Sequence, residues 1–256
     1  MLSLFRRETP YYRIRFSYRK CLTHYMNAIF DRNIFYNRRR RKEFVAHLEK
    51  KKRGRFIAIN NNLFWPGRKI FENARIVHLI RHPKDIVISG YFYHKKGSEL
   101  WNREIIRQLP LYRLQFEMDD IYNEQEKKML NSGPTYQQLL EFLPLEKGLM
   151  TEMVWIKYVH SFNPLPYYQA LGIQTFRFED IVTDPVKSIT AICRQWQLTE
   201  EEIAYYCKRA LHYQKNPTYK IRDRSPYQYQ KYYDDGLNRF YKKHFGNVVT
   251  RLDYPD

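Results

Sequence analysis

Residues 78–94 read HLIRHPKDIVISGYFYH, and their interpretation organises the rest of the chain. An apolar run ends in an arginine, a proline follows two residues later, and a serine stands eight residues after the arginine. The run ARIVHLI (74–80) is short and almost continuously apolar, which fits a parallel strand covered on both faces. Pro83 suits the first turn of a helix, where its missing N–H is not needed. Arg81 then stands at the carboxyl end of a strand, where open α/β sheets bind ligands. Ser89 lies about 9 Å along the helix axis, at about 1.5 Å per residue. A guanidinium and a hydroxyl so placed can converge on one dianion, the arginine as a bidentate fork. The same residues admit a plainer reading, in which Arg81 pairs with Asp85 in the first helical turn and Ser89 is a small residue at a packing contact.

Working outward, YRIRFSY (12–18), RFIAI (55–59) and IQTFRF (173–178) alternate and are rich in aromatic and β-branched residues, so they read as strands. In THYMNAIFDRNIF (23–35), Tyr25, Met26, Ile29, Phe30 and Ile34 recur at helical spacing. Asp184-Pro185 supplies an N-cap with proline at the first helical position, opening the helix VKSITAICRQW. Strands alternating with helices imply an α/β fold, a single domain over 1–256 with a central parallel sheet flanked by helices. The middle, about 97–165, reads as mostly helical. From about 214 the chain is polar, aromatic and poor in regular period, which suits a functional or disordered loop.

Composition narrows the class. With 43% hydrophobic residues in 256, the chain can bury a core. No run of about 18 apolar residues is present to span a membrane, and MLSLFRRETPYYR lacks the apolar stretch of a secretory signal. The three cysteines, Cys21, Cys193 and Cys207, are too scattered for a disulfide framework or a metal knuckle, so the expected location is cytoplasmic. The net charge of +18 raises the local concentration of anionic ligands. The runs RRRRK (38–42) and KKKR (50–53) overlap the ends of KEFVAHLEKK; they read as the solvated face of a helix, with a nucleic-acid patch as the alternative. Neither G-x-x-x-x-G-K-[ST] nor G-x-G-x-x-G occurs, so a standard P-loop NTPase and a Rossmann dehydrogenase have no support, and no metal-ligand spacing appears among the eight His.

The segment RHPKDIVISGYFYH resembles the 3′-phosphate-binding segment of sulfotransferases that use 3′-phosphoadenosine 5′-phosphosulfate (PAPS), roughly R-[DNH]-P-[RK]-D-x-x-[VI]-S-x-[YF], with Arg81, Pro83, Lys84, Asp85, Ser89 and Tyr91 in place. FRFEDIVTDP (176–185) is similar to the family's Y-E-D-L-x-x-D-P segment, and IRDRSPYQYQKYY (221–233) resembles its R-x-G-x-x-G-x-W-x-x-x-F loop. SYRKCLTHYM (17–26) falls where the family carries its P-loop-like phosphosulfate loop, K-[ST]-G-T-[ST]-W. The resemblance spans about 13–255. It implies transfer of a sulfuryl group from PAPS to an acceptor hydroxyl or amine, with adenosine 3′,5′-bisphosphate as product. On that basis Lys20, Cys21, Thr23, His24 and Tyr25 would hold the 5′ side, with Lys20 neutralising charge on the leaving oxygen and Tyr25 stacking on adenine. Arg81 and Ser89 would read the 3′-phosphate, with Arg222, Asp223 and Arg224 nearby, and Phe178 stands where many relatives place an adenine-contacting tyrosine. The chain departs from the family at Leu22, Arg224 and Tyr227, where glycines are usual. A fold of this family that binds a nucleotide, nucleic acid or other polyanion without turnover is the alternative reading.

The acceptor proton needs a base. Relatives place a histidine after the second strand, where this chain reads INNN with Asn60, Asn61 and Asn62. His94, about one turn beyond Ser89, and Glu152 in GLMTEMVW are equal candidates. The acceptor class stays open among acidic glycan, lipid and phenol-like or other small alcohols, with no specific nucleic acid expected.

Overall fold

The computed structural model describes residues 12–17, 23–30, 34–35, 56–60, 74–97, 106, 108–159, 172–216 and 225–254. The phosphosulfate-loop residues Lys20 and Cys21, the basic runs, and Arg222, Asp223 and Arg224 lie outside them. The chain divides into two units, each built from two stretches: Met1–Ile80 with Pro164–Arg224, and Arg81–Asn163 with Ser225–Asp256.

Among the described residues, the first unit holds five parallel strands, β1 (Tyr12–Ser17), β2 (Ile34–Phe35), β3 (Phe56–Asn60), β4 (Ala74–Ile80) and β5 (Gln174–Arg177), in the order β2-β3-β1-β4-β5. Ile76 to Ile80 of β4 are all buried, as its continuous apolar run requires. After β1 the chain turns to one side of the sheet, toward β2 and β3; β4 and β5 lie on the other side. The order therefore switches between β1 and β4, whose ends run side by side with Ser17 opposite Leu79. Ligands of open α/β sheets bind at such a switch, beyond the strands' carboxyl ends.

Among the described residues, four helices belong to this unit: α1 (Thr23–Ile29) and, to take the later ones by their place in the chain, α7 (Phe178–Thr183), α8 (Pro185–Gln195) and α9 (Glu200–Lys215). Asp184 caps α8, its side chain accepting from the Lys187 N–H, with Pro185 in the first turn. The α9 start is a capping box, Thr199 and Glu202 each bonding the other's backbone N–H. Phe30 meets Trp196 edge-on at 5.0 Å and Tyr206 at 4.8 Å, knitting α1 to α8 and α9. Such aromatic pairs add about 0.5–1.5 kcal/mol beyond their burial.

The second unit, among the described residues, is helical. It contains α2 (Pro83–Lys95), α3 (Gln108–Met118), α4 (Glu124–Asn131), α5 (Tyr136–Phe142), α6 (Leu145–Val159), a 3₁₀ turn (Gln228–Lys231), α10 (Asp235–Phe245) and α11 (Val248–Arg251). Capping boxes start α4 at Asn123 and α5 at Thr135. The stretch from 225 is therefore more ordered than its aromatic, low-period sequence implies. Leu237, Phe240, Tyr241, His244 and Phe245 fall on one buried helical stripe of α10.

Candidate nucleotide-binding and catalytic residues

The helix α2 begins at Pro83 as its sequence predicts, so Arg81 follows the carboxyl end of β4 directly and Ser89 lies on the second turn. Arg81 is 4% exposed, and its Nη2 lies 3.7 Å from Asp85 Oδ2. The helix-start ion pair is thus present, and it holds the guanidinium at the end of the strand. Ser89 is half-buried.

Asp85 is fully buried and does more than pair with Arg81. Its Oδ1 accepts the backbone N–H of Tyr229 at 2.8 Å. Burial raises the Asp85 carboxyl above its ordinary range, opposed by the Arg81 charge and by the backbone amides of Tyr229 and Tyr227. The same turn of α2 grips Tyr229 twice more. The His82 ring stacks on it at 4.2 Å with planes 12° apart, and Lys84 Nζ sits 5.1 Å from its centroid. Lys84 also donates to Asn238 Oδ1 at 2.9 Å. Tyr227 is in the left-handed region at φ 55°, ψ 36°. It occupies a glycine position of the family pattern, and the backbone here adopts the conformation that favours glycine.

The two candidates for the base form one cluster. His94 Nδ1 lies 2.9 Å from Glu152 Oε2, and Tyr136 Oη donates to the same oxygen at 2.9 Å. His94 is 1% exposed and Glu152 fully buried. A carboxylate only accepts, so Nδ1 carries the hydrogen and Nε2 is the ring's basic nitrogen. Tyr136 stacks on Trp155 at 4.2 Å, and burial together with the Glu152 charge pushes its phenol well above the ordinary value. Sequence reasoning did not pick out Tyr136; its only signal is its place just after the Thr135 cap, which starts α5.

On the first unit, Tyr25 is 3% exposed and its hydroxyl donates to the Ala210 carbonyl at 3.1 Å, so its ring is built into the packing of α1 on α9. Arg209 secures the same helix by donating to the Ala28 carbonyl. Phe178 opens α7 instead of ending β5, and is 3% exposed. Thr23 and His24 lie in the first turn of α1. Of the three cysteines, Cys193 is buried and Cys207 half-buried, and neither is in a disulfide. Among the described residues no helix is long and apolar enough to cross a membrane, and no cluster of metal-ligating side chains occurs.

The family model of the sulfotransferase domain matches residues 17–251. Mouse sulfotransferase SULT7A1 complexed with PAP is 14% identical, with 93% of this chain and 84% of that chain covered and a TM-score of 0.54. A retinol dehydratase in complex with androsterone and the inactive cofactor PAP is also 14% identical, with 97% and 84% covered and a TM-score of 0.45. No curated protein sequence matches. The parallel sheet with its switch at β1 and β4, the arginine that follows β4 and the nearly chain-long match agree: the chain belongs to the sulfotransferase family.

Proposed function

We propose that this protein is an enzyme that transfers a sulfuryl group from PAPS to an acceptor hydroxyl or amine. The observation that carries the reading is Arg81, the residue that directly follows β4, with Ser89 on the next helix. An arginine with a hydroxyl donor suits a phosphate dianion, which is the group that distinguishes PAPS from ordinary adenine nucleotides. The donor supplies an activated sulfuryl group: the acceptor forms the new bond to sulfur, the bond from sulfur to the phosphate oxygen breaks, and the acceptor loses its proton.

The chain's own residues divide the remaining work. Arg81 and Ser89 bind the 3′-phosphate, and Arg222 and Arg224 add donors and positive charge for it. Lys20, Cys21, Thr23 and His24 hold the 5′ side, with Lys20 neutralising the oxygen on which charge develops. Tyr25 fixes α1 against α9 through Ala210. His94 takes the acceptor proton at Nε2, with Glu152 and Tyr136 holding the ring's tautomer and orientation. His94→Gln should abolish most turnover while leaving nucleotide affinity intact; unchanged turnover would assign the cluster to the core alone.

The test of the whole reading is calorimetric titration with adenosine 3′,5′-bisphosphate, with 5′-AMP as control. Micromolar affinity that needs the 3′-phosphate is expected, and Arg81→Ala should cost about 2–4 kcal/mol of it. Equal affinity of the parent for both nucleotides would overturn the assignment.

A further inference from the structure

We infer that Asp85 is a positioning residue of the 3′-phosphate subsite, holding Arg81 in its binding geometry only while the 227–229 turn is docked against the start of α2. The inference rests on the reading of Arg81 given above. Its basis is a carboxylate in an uncommon setting. Asp85 stands in the first turn of α2, where an acid can serve its own helix terminus and remain in water. Here it is fully buried and reaches instead to the Tyr229 N–H, 144 residues along the chain. Its other oxygen faces the Arg81 guanidinium at 3.7 Å. One side chain therefore touches the anion-binding cation and the late segment at the same time.

The late segment is shaped for this contact. Tyr227 in the left-handed conformation bends the chain so that the amides of both Tyr227 and Tyr229 act on the Asp85 carboxylate. The His82 stack and the Lys84 cation–π contact hold the Tyr229 ring in place from the same helical turn. A buried carboxylate satisfied by amides on one side can fix a guanidinium on the other, and a guanidinium fixed in advance gives up less side-chain freedom when it binds an anion. If Asp85 merely neutralised Arg81, its removal would strengthen anion binding. If it positions Arg81, its removal weakens binding of the 3′-phosphate specifically. The two roles differ in sign.

The experiment is calorimetric titration of the full-length protein with adenosine 3′,5′-bisphosphate and with 5′-AMP, for the parent, Asp85→Asn, Asp85→Glu, Arg81→Ala and the Arg81→Ala/Asp85→Asn double variant. Asp85→Asn should lower bisphosphate affinity by about ten- to a hundredfold, the scale of one charged hydrogen bond, and leave 5′-AMP affinity unchanged. The double variant should be no weaker than Arg81→Ala alone, because the effect runs through Arg81. Asp85→Glu keeps the charge and displaces it by one methylene, so it should fold and still lose preference for the bisphosphate; it carries the test if the asparagine variant does not fold. Bisphosphate affinity that is unchanged or increased in Asp85→Asn overturns the inference, as does an equal loss for both nucleotides. Loss of preference in Arg81→Ala without loss in the Asp85 variants defeats this inference alone. A parent with no preference for the bisphosphate defeats the assignment of Arg81 itself.

Discussion

Gly90 should be irreplaceable even by alanine, although it lies within a helix. Alanine at an ordinary helical glycine gains about 1 kcal/mol from propensity. At Gly90 an added Cβ would overlap Glu152 Oε1 and stand 3.1 Å from its Cδ and 3.4 Å from Ile156 Cδ1. The carboxylate cannot yield cheaply, because its other oxygen accepts from both His94 and Tyr136. Overpacking of this kind costs about 1–3 kcal/mol, and breaking either hydrogen bond to the charged group costs about 1.5–3 kcal/mol. After the propensity gain, Gly90→Ala should be destabilising by about 2–4 kcal/mol. At about 2–4 °C per kcal/mol for a chain of this size, thermal denaturation should register a fall of about 5–15 °C. The sign should reverse once the carboxylate is gone. In an Glu152→Ala background, itself weakened by the lost hydrogen bonds, Gly90→Ala should add about 1 kcal/mol of stability. A Tm for Gly90→Ala equal to or above that of the parent would refute the reasoning, because the Glu152 carboxylate would then not be pinned against the glycine.

Other outcomes follow from single features. Burial lowers His78 to a pKa of about 3, so between its ordinary value of 6.5 and that point the unfolded chain binds more protons than the folded one. Its contribution is therefore intact above pH 6.5 and is lost as pH falls, by about 2 kcal/mol between pH 7 and pH 5; urea titrations of His78→Gln should show a shallower acid dependence, and parallel curves would exclude His78 as the source. At Tyr227, the left-handed backbone predicts that Tyr227→Gly is more stable than Tyr227→Val by at least about 1 kcal/mol, despite burying less surface, and the reverse order by thermal melt would contradict φ 55° there. Trp196→Ala, which removes a 1% exposed ring packed on Phe30, should cost about 3–5 kcal/mol in chemical denaturation, and a loss under 1 kcal/mol would mean that this aromatic cluster is not a core.

Much of the fold could be read from local chemistry. ARIVHLI announces a doubly covered strand through its almost continuous apolar character, and Pro83 and Pro185 mark helix starts because proline fits a first turn and little else in a helix. Arg81 could be placed at a strand end for the same reasons. What could not be read is everything set by distant parts of the chain. Nothing near Asp85 announces that its partner is the amide of Tyr229, and nothing near His94 announces Glu152, 58 residues away. The two base candidates looked like rivals because sequence offers no means of bringing α2 and α6 together. The aromatic neighbours of Phe178 suggest a strand through it, whereas it opens a short helix whose acidic first turn is supplied by Glu179 and Asp180. The strip of α10 that ends in Phe245 shows ordinary helical spacing, hidden behind an irregular tyrosine-rich approach.

The interleaving of the two units also bears on how the protein is made. β4 gains its outer neighbour β5 only after the whole stretch Arg81–Asn163 has been synthesised. At roughly 5–20 residues per second, that leaves one edge of an almost wholly apolar strand without its partner for on the order of 5–20 seconds on each ribosome. Such an edge is a template for unwanted pairing between nascent chains. Slower initiation or chaperone cover during that interval should therefore raise the yield of native protein more than any substitution that stabilises the finished fold.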